Sequence, residues 1–130
     1  MESSAAATPT DTVAAELAAW ARRSRREFSV PVPAIDSLAE SAQLSSDELI
    51  RQAISKVGAP DRRRALQIYF MELFGGERLS ITDRRREAGK ALGYTSAAMR
   101  HYRPGCPHLS PEFQLFAELA TVLVSERANG

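Results

Sequence analysis

The stretch from Ala88 to Gly105 constrains the fold more than any other part of the chain. It reads as helix, tight turn, second helix and stop. Ala88 and Gly89 are small enough to let two helices cross. Gly93 supplies a turn residue that tolerates positive φ without a Cβ clash. Leu92 points inward just before the turn, and Met99 and Tyr102, three apart, turn one face of the second helix to the core. Ser96 with Arg100, and Ala97 with His101, each four apart, are left on the outward face. Pro104-Gly105 ends the second helix.

Similar punctuation divides the rest of the chain. Residues 1–10 are small, polar and unpatterned and read as a disordered tail. Thr10 or Asp11 can cap a helix to about Arg26, with Val13, Leu17 and Trp20 on one face. Pro31 and Pro33 hold Phe28–Pro33 extended. A short helix from Ala34 to Gln43 is followed by one that Ser45 and Glu48 open as a capping box and Gly58 closes. Residues 61–74 are apolar over more than one stripe, which predicts a central helix wrapped by others; Gly75-Gly76 stops it. Thr82 or Asp83 starts the next helix, and Thr95 or Ser96 the one after the turn. Ser110-Pro111-Glu112 opens a last helix with Phe113, Phe116, Leu119, Ala120 and Leu123 on one face. The expected fold is all-α, a compact bundle of six or seven short helices containing a helix-turn-helix, with no repeat at solenoid spacing. Its parts are a tail at 1–10, an N-terminal helical region for packing or dimerisation at 11–60, a DNA-binding region at 61–126, and a tail at 127–130.

The formal net charge is only +1, but it is unevenly spread. Residues 1–60 hold eight acidic and six basic side chains, whereas residues 84–103 hold six basic and one acidic. A local field of that sign suits a polyanion. On the outward face of the second helix, Arg100 can pair with guanine, Ser96 with donors or acceptors, and Ala97 with a thymine methyl. His101 can donate to a base or a phosphate. Arg84, Arg85, Arg86, Lys90, Thr95 and Arg103 flank that face as phosphate contacts. Three adjacent arginines cannot share one helical face, so one or two of Arg84–Arg86 are expected on DNA.

The segment from Ala88 to Gly105, followed by Ser110-Pro111-Glu112 and Leu115, Ala117 and Leu119, resembles the phage-repressor-like (lambda repressor/Cro) helix-turn-helix regulators. Gly93, Met99, Tyr102 and Gly105 stand where that family repeats a turn glycine, two apolar or aromatic positions and a closing glycine. Gly89 stands where alanine is more usual. The resemblance covers the C-terminal part alone. It implies a recognition helix after Gly93, an operator as ligand and a repressor-like homodimer.

Other signals lead elsewhere. Leu38–Arg51 has a similar helix-turn-helix outline, but Gln43 holds its turn position and Asp47 and Glu48 open its second helix. Carboxylates there would face phosphates, so packing is the expected role. A ribbon-helix-helix reading, with Phe28–Val32 as the ribbon, meets Pro31 and Pro33. Trp20 reads as core or dimer contact, and Arg22–Arg26 as a solvated helix end or an arm along the DNA backbone. Arg62-Arg63-Arg64 opposes a helix dipole and needs Asp61 or a nearby acid to offset it. Cys106 is the single cysteine, which excludes an internal disulfide and a cysteine-based zinc site. His101 and His108 lack partners at metal spacing, and no nucleophile adjoins a base, so neither enzyme activity nor a cofactor is expected. No apolar run has membrane-spanning length, and a cytoplasmic location follows by default. The partners expected are double-stranded DNA and a second copy of the chain. The competing class is a helical adaptor or antagonist of another regulator that binds protein and not DNA; structured RNA is a weaker third.

Overall fold

The computed structural model describes residues 9–22, 31–70, 80–100 and 110–129. Among them are seven helices and no strand: α1 (Pro9–Ala21), α2 (Pro33–Ala42), α3 (Ser46–Ser55), α4 (Pro60–Phe70), α5 (Ile81–Leu92), α6 (Ser96–Arg100) and α7 (Pro111–Asn129). The all-α class expected from the sequence is what the chain adopts. No helix among the described residues is long and apolar enough to cross a membrane. Gly75-Gly76 and Phe28–Val30 lie outside the described residues, as does the continuation of the Arg22–Arg26 run beyond its first residue.

Local chemistry sets most helix boundaries. The Ser45 hydroxyl accepts from the Glu48 N–H at 3.1 Å, as its capping-box spacing predicts. Ser110 caps α7 by accepting from the Phe113 N–H at 3.1 Å, with Pro111 at the first helical position. Several boundaries differ from expectation. α1 begins at Pro9, so the last two residues of the expected tail are helical, and α7 continues through Asn129, into the expected C-terminal tail. α5 is capped by Ser80, whose hydroxyl accepts from the Asp83 N–H, rather than by Thr82 or Asp83. Gly58 does not close α3: the helix ends at Lys56 in an ordinary right-handed conformation, with Gly58 two residues beyond.

The core is built around α7. Leu115, Phe116, Leu119 and Ala120 are wholly buried, and α7 packs against α1, α2, α3, α4 and α6. Each such leucine or phenylalanine contributes about 1.5–3 kcal/mol through removal from water. α1 lies against α7 with Val13, Ala14, Leu17, Ala18 and Ala21 buried, and its alanines let the two helices approach closely. The hub is therefore α7, where the sequence pointed to α4. α4 has a polar side too: Ala65, Leu66, Ile68 and Tyr69 are buried while Arg64 is exposed. Trp20 meets Phe70 edge-on, ring centroids 6.5 Å apart, and so belongs to the core. Phe116 receives Tyr69 and Phe70 at 5.1 and 5.8 Å, edge to face as aromatic quadrupoles prefer.

Because α1 is seated on α7, the stretches 11–60 and 61–126 share one core. A carboxylate ties the first of them together. Val32 precedes α2 and has no side chain able to cap it, and Pro33 has no N–H. Glu16 of α1 instead accepts from the Ala34 and Ile35 N–H groups, both at 2.9 Å. Two orphan donors of the helix start are satisfied from another element.

Candidate nucleic-acid interface

α5 and α6 are joined by the three residues Gly93, Tyr94 and Thr95. Gly93 takes the left-handed conformation, φ 83° and ψ 22°, as the sequence requires. The Tyr94 N–H then donates to the Gly89 carbonyl at 2.8 Å, closing the end of α5. Thr95 caps α6, its hydroxyl accepting from the Ala98 N–H at 3.1 Å. The absence of a side chain at Gly89 is a steric requirement. A Cβ there would lie 2.4 Å from the Tyr94 carbonyl oxygen and 3.3 Å from Met99 Cγ. The Gly89 that departs from the usual alanine is thus what lets this turn fold so tightly. Ala88 and Met99 are wholly buried and Leu92 is half-buried, pinning both helices from behind.

The expected contact residues divide sharply. Thr95 and Ala97 are exposed beside one another. Arg86 and Lys90, four apart on α5, are also exposed, with side chains 54% and 67% accessible. Each carries a neighbouring acid: Arg86 pairs with Asp83, and Lys90 with Glu87 at 3.2 Å. Such exposed pairs are worth about 0–1 kcal/mol, so a stronger anion displaces them at little cost. The backbone of α6 carries Ser96 and Arg100; the side chains of those two, and all of His101, Tyr102, Arg103, Cys106 and His108, lie outside the described residues.

Arg84 and Arg85, expected as phosphate contacts, are turned inward instead. Arg84 is buried, and its guanidinium donates through Nη1 to the Ala21 carbonyl at 2.6 Å. Ala21 is the last residue of α1, so a cation sits on an orphan carbonyl at the negative end of that helix. Arg85 binds Glu112 with two nitrogens, Nε to Oε1 at 2.7 Å and Nη2 to Oε2 at 3.2 Å. Neither guanidinium can reach a phosphate without breaking these bonds. Of the three adjacent arginines, Arg86 is the one on the outside.

Glu112 is the charged centre behind the interface. It is fully buried and also accepts from the Tyr69 hydroxyl at 2.7 Å and from Arg22 Nη2 at 3.3 Å. Burial, and then the adjoining carboxylate, push the Tyr69 phenol well above the ordinary tyrosine range, so it stays protonated and donates. One carboxylate thereby links α7 to α1, α4 and α5. The sequence marked Glu112 only as part of a helix start. Arg62, in the run that opposes the α4 dipole, finds its acid in Glu118 of α7, while Asp61 accepts from the Arg62 backbone N–H.

Tyr94 escaped the sequence reading altogether. It is the one large hydrophobic residue exposed among those described, at 48%. Its only signal in the sequence is its place directly after the turn glycine.

The chain matches no known protein-family profile, and neither a curated protein nor a solved structure resembles it at a significant level.

Proposed function

We propose that this protein binds double-stranded DNA as a sequence-specific transcriptional regulator, with α6 as the helix that enters the major groove. The observation that carries this reading is the two-sidedness of α6. Met99 is wholly buried, while Ala97, two residues earlier, is exposed beside the exposed Thr95. A helix held from behind, with small residues outward, suits base-edge contact. Arg86 and Lys90 on the adjoining face of α5 supply sequence-independent attraction to phosphates. The action is proposed to be that of a homodimer, which would select a two-fold symmetric site.

Selection of bound duplexes from a random pool, followed by shift assays over a salt series, tests the reading. Arg100→Ala is expected to lose sequence preference. Lys90→Gln is expected to weaken binding to all duplexes and to lower the salt slope by about one. Absence of salt-dependent duplex binding by the wild-type protein rules it out. One observation favours a second reading, that of a protein-binding adaptor: both outward cations of α5 are already paired with acids. A stoichiometric protein partner that purifies free of nucleic acid would support it.

A further inference from the structure

We infer that Tyr94 is a contact to the DNA backbone, its phenol donating to a phosphate oxygen beside the groove that α6 would enter. The inference rests on the duplex-binding reading above and assigns a residue that the charge pattern does not reveal. Three observations converge on this ring. First, its backbone is fixed on both sides: the Tyr94 N–H is bonded to the Gly89 carbonyl, and its own carbonyl is seated over Gly89. Second, the residue is 48% exposed, and no hydrogen bond of its hydroxyl is found among the described residues. An aromatic side chain on an immobile backbone loses little conformational freedom on binding, the property that makes tyrosine an effective anchor. Third, the helix that leads to it carries a polar and cationic stripe. Thr82, Arg86 and Lys90 form an exposed stripe along α5, each four residues from the next, which runs to the turn bearing Tyr94. Beyond the turn come exposed Thr95 and Ala97. A surface for an apolar protein partner would surround the ring with further large exposed hydrophobic side chains, and the described residues offer no other. A hydroxyl in the turn that ends a stripe bearing two displaceable cations fits an anion, and phosphate oxygens accept readily from tyrosine.

A neutral donor has a signature that separates it from the cations. Its loss removes a hydrogen bond but releases no additional counterion, so affinity falls while the salt slope holds. Tyr94→Phe, which keeps the ring, is expected to bind every duplex about tenfold more weakly, in line with a hydrogen bond to a charged group. Sequence preference and salt slope should match wild type, whereas Lys90→Gln should lower the slope. Thermal unfolding of Tyr94→Phe should be unchanged, because the ring is kept and no hydrogen bond of the hydroxyl is found among the described residues. Wild-type affinity in Tyr94→Phe overturns the inference and leaves duplex binding standing, even if Tyr94→Ala weakens binding through loss of the ring. A change of preferred sequence in Tyr94→Phe also overturns it, since the contact would then be to a base. Failure of the wild-type protein to bind any duplex overturns both readings at once.

Discussion

Two helix pairs in this molecule turn by the same device and are put to opposite use. α2 passes to α3 through Gln43 at φ 61° and ψ 39°, and α5 passes to α6 through Gly93 in the same left-handed region. The Leu44 N–H donates to the Ala39 carbonyl at 2.9 Å, as the Tyr94 N–H does to Gly89 at 2.8 Å. Ser45 and Thr95 then cap the following helices by the same hydrogen bond, both at 3.1 Å. The two sets of residues stand fifty positions apart throughout, yet between Ala39–Ile50 and Gly89–Arg100 only Ser46 and Ser96 agree in type. Backbone geometry has been kept where side-chain identity has not.

The difference lies in what each second helix hides. α3 buries Ile50, Ala53 and Ile54 and carries Asp47 and Glu48 in its first turn. It is a packing element whose open end repels phosphates. α6 buries Met99 and leaves Ala97 and the preceding Thr95 exposed. Anchorage differs as well. The first pair is tied to the body by Glu16 on two backbone amides, the second by Glu112 on Arg85. Both pairs thus join a buried apolar face to a carboxylate at the root, which meets backbone amides in the first and a guanidinium in the second.

Breaking that root should have the largest effect. Glu112→Gln leaves the Arg85 guanidinium, only 12% accessible, without its counter-charge. Removing one partner of a buried pair typically costs 3–5 kcal/mol, and we expect about 3 kcal/mol in urea unfolding. Unaltered stability would show that Glu112 does not anchor α5. Gly89→Ala comes next. Alanine favours a helix interior by about 1 kcal/mol over glycine, but the backbone contact at Tyr94 outweighs that gain. A net loss of about 2 kcal/mol is expected from overpacking. Ala39, its counterpart, already carries the Cβ, so a neutral Gly89→Ala would mean that the two turns are equally roomy. The smallest effect comes from exchanging the turn residues. Gln43→Gly should raise the unfolding free energy and Gly93→Gln should lower it, each by about 1 kcal/mol, the strain of a side chain at positive φ. Opposite signs sustain the likeness of the two turns; equal signs break it.

These pairs also show how far the residues alone can be read. Gly93, Thr95, Ser45 and the Ser110-Pro111 start were legible because a cap or turn is settled within four residues of chain. The apolar faces of α1 and α7 were legible because burial repeats at helical spacing. Ser80, Thr82 and Asp83 stand close together and each is a capping type, so the start of α5 is not settled by residue type alone. The turn outline at Gln43 is visible in the sequence, where Asp47 and Glu48 point it to packing, and the backbone takes the left-handed conformation there without a glycine. Arg84 and Arg85 have the charge of phosphate contacts, but charge along a chain says nothing of the partner a guanidinium finds across the fold.

What the sequence by itself determined is the list of helices, the caps at Ser45, Thr95 and Ser110, and many of the inward residues of each face. Those follow from hydrogen bonds and periodicities that span a single turn. Only the tertiary structure decided which arginines of α5 face outward. That choice depends on the Ala21 carbonyl and the Glu112 carboxylate, 63 and 27 residues away from their partners. The same holds for the hub at α7, for Glu16 as the cap of α2 and for the exposed ring of Tyr94. A long flexible cation takes its direction from whichever distant acceptor burial leaves unsatisfied, and that acceptor exists only once the helices have packed.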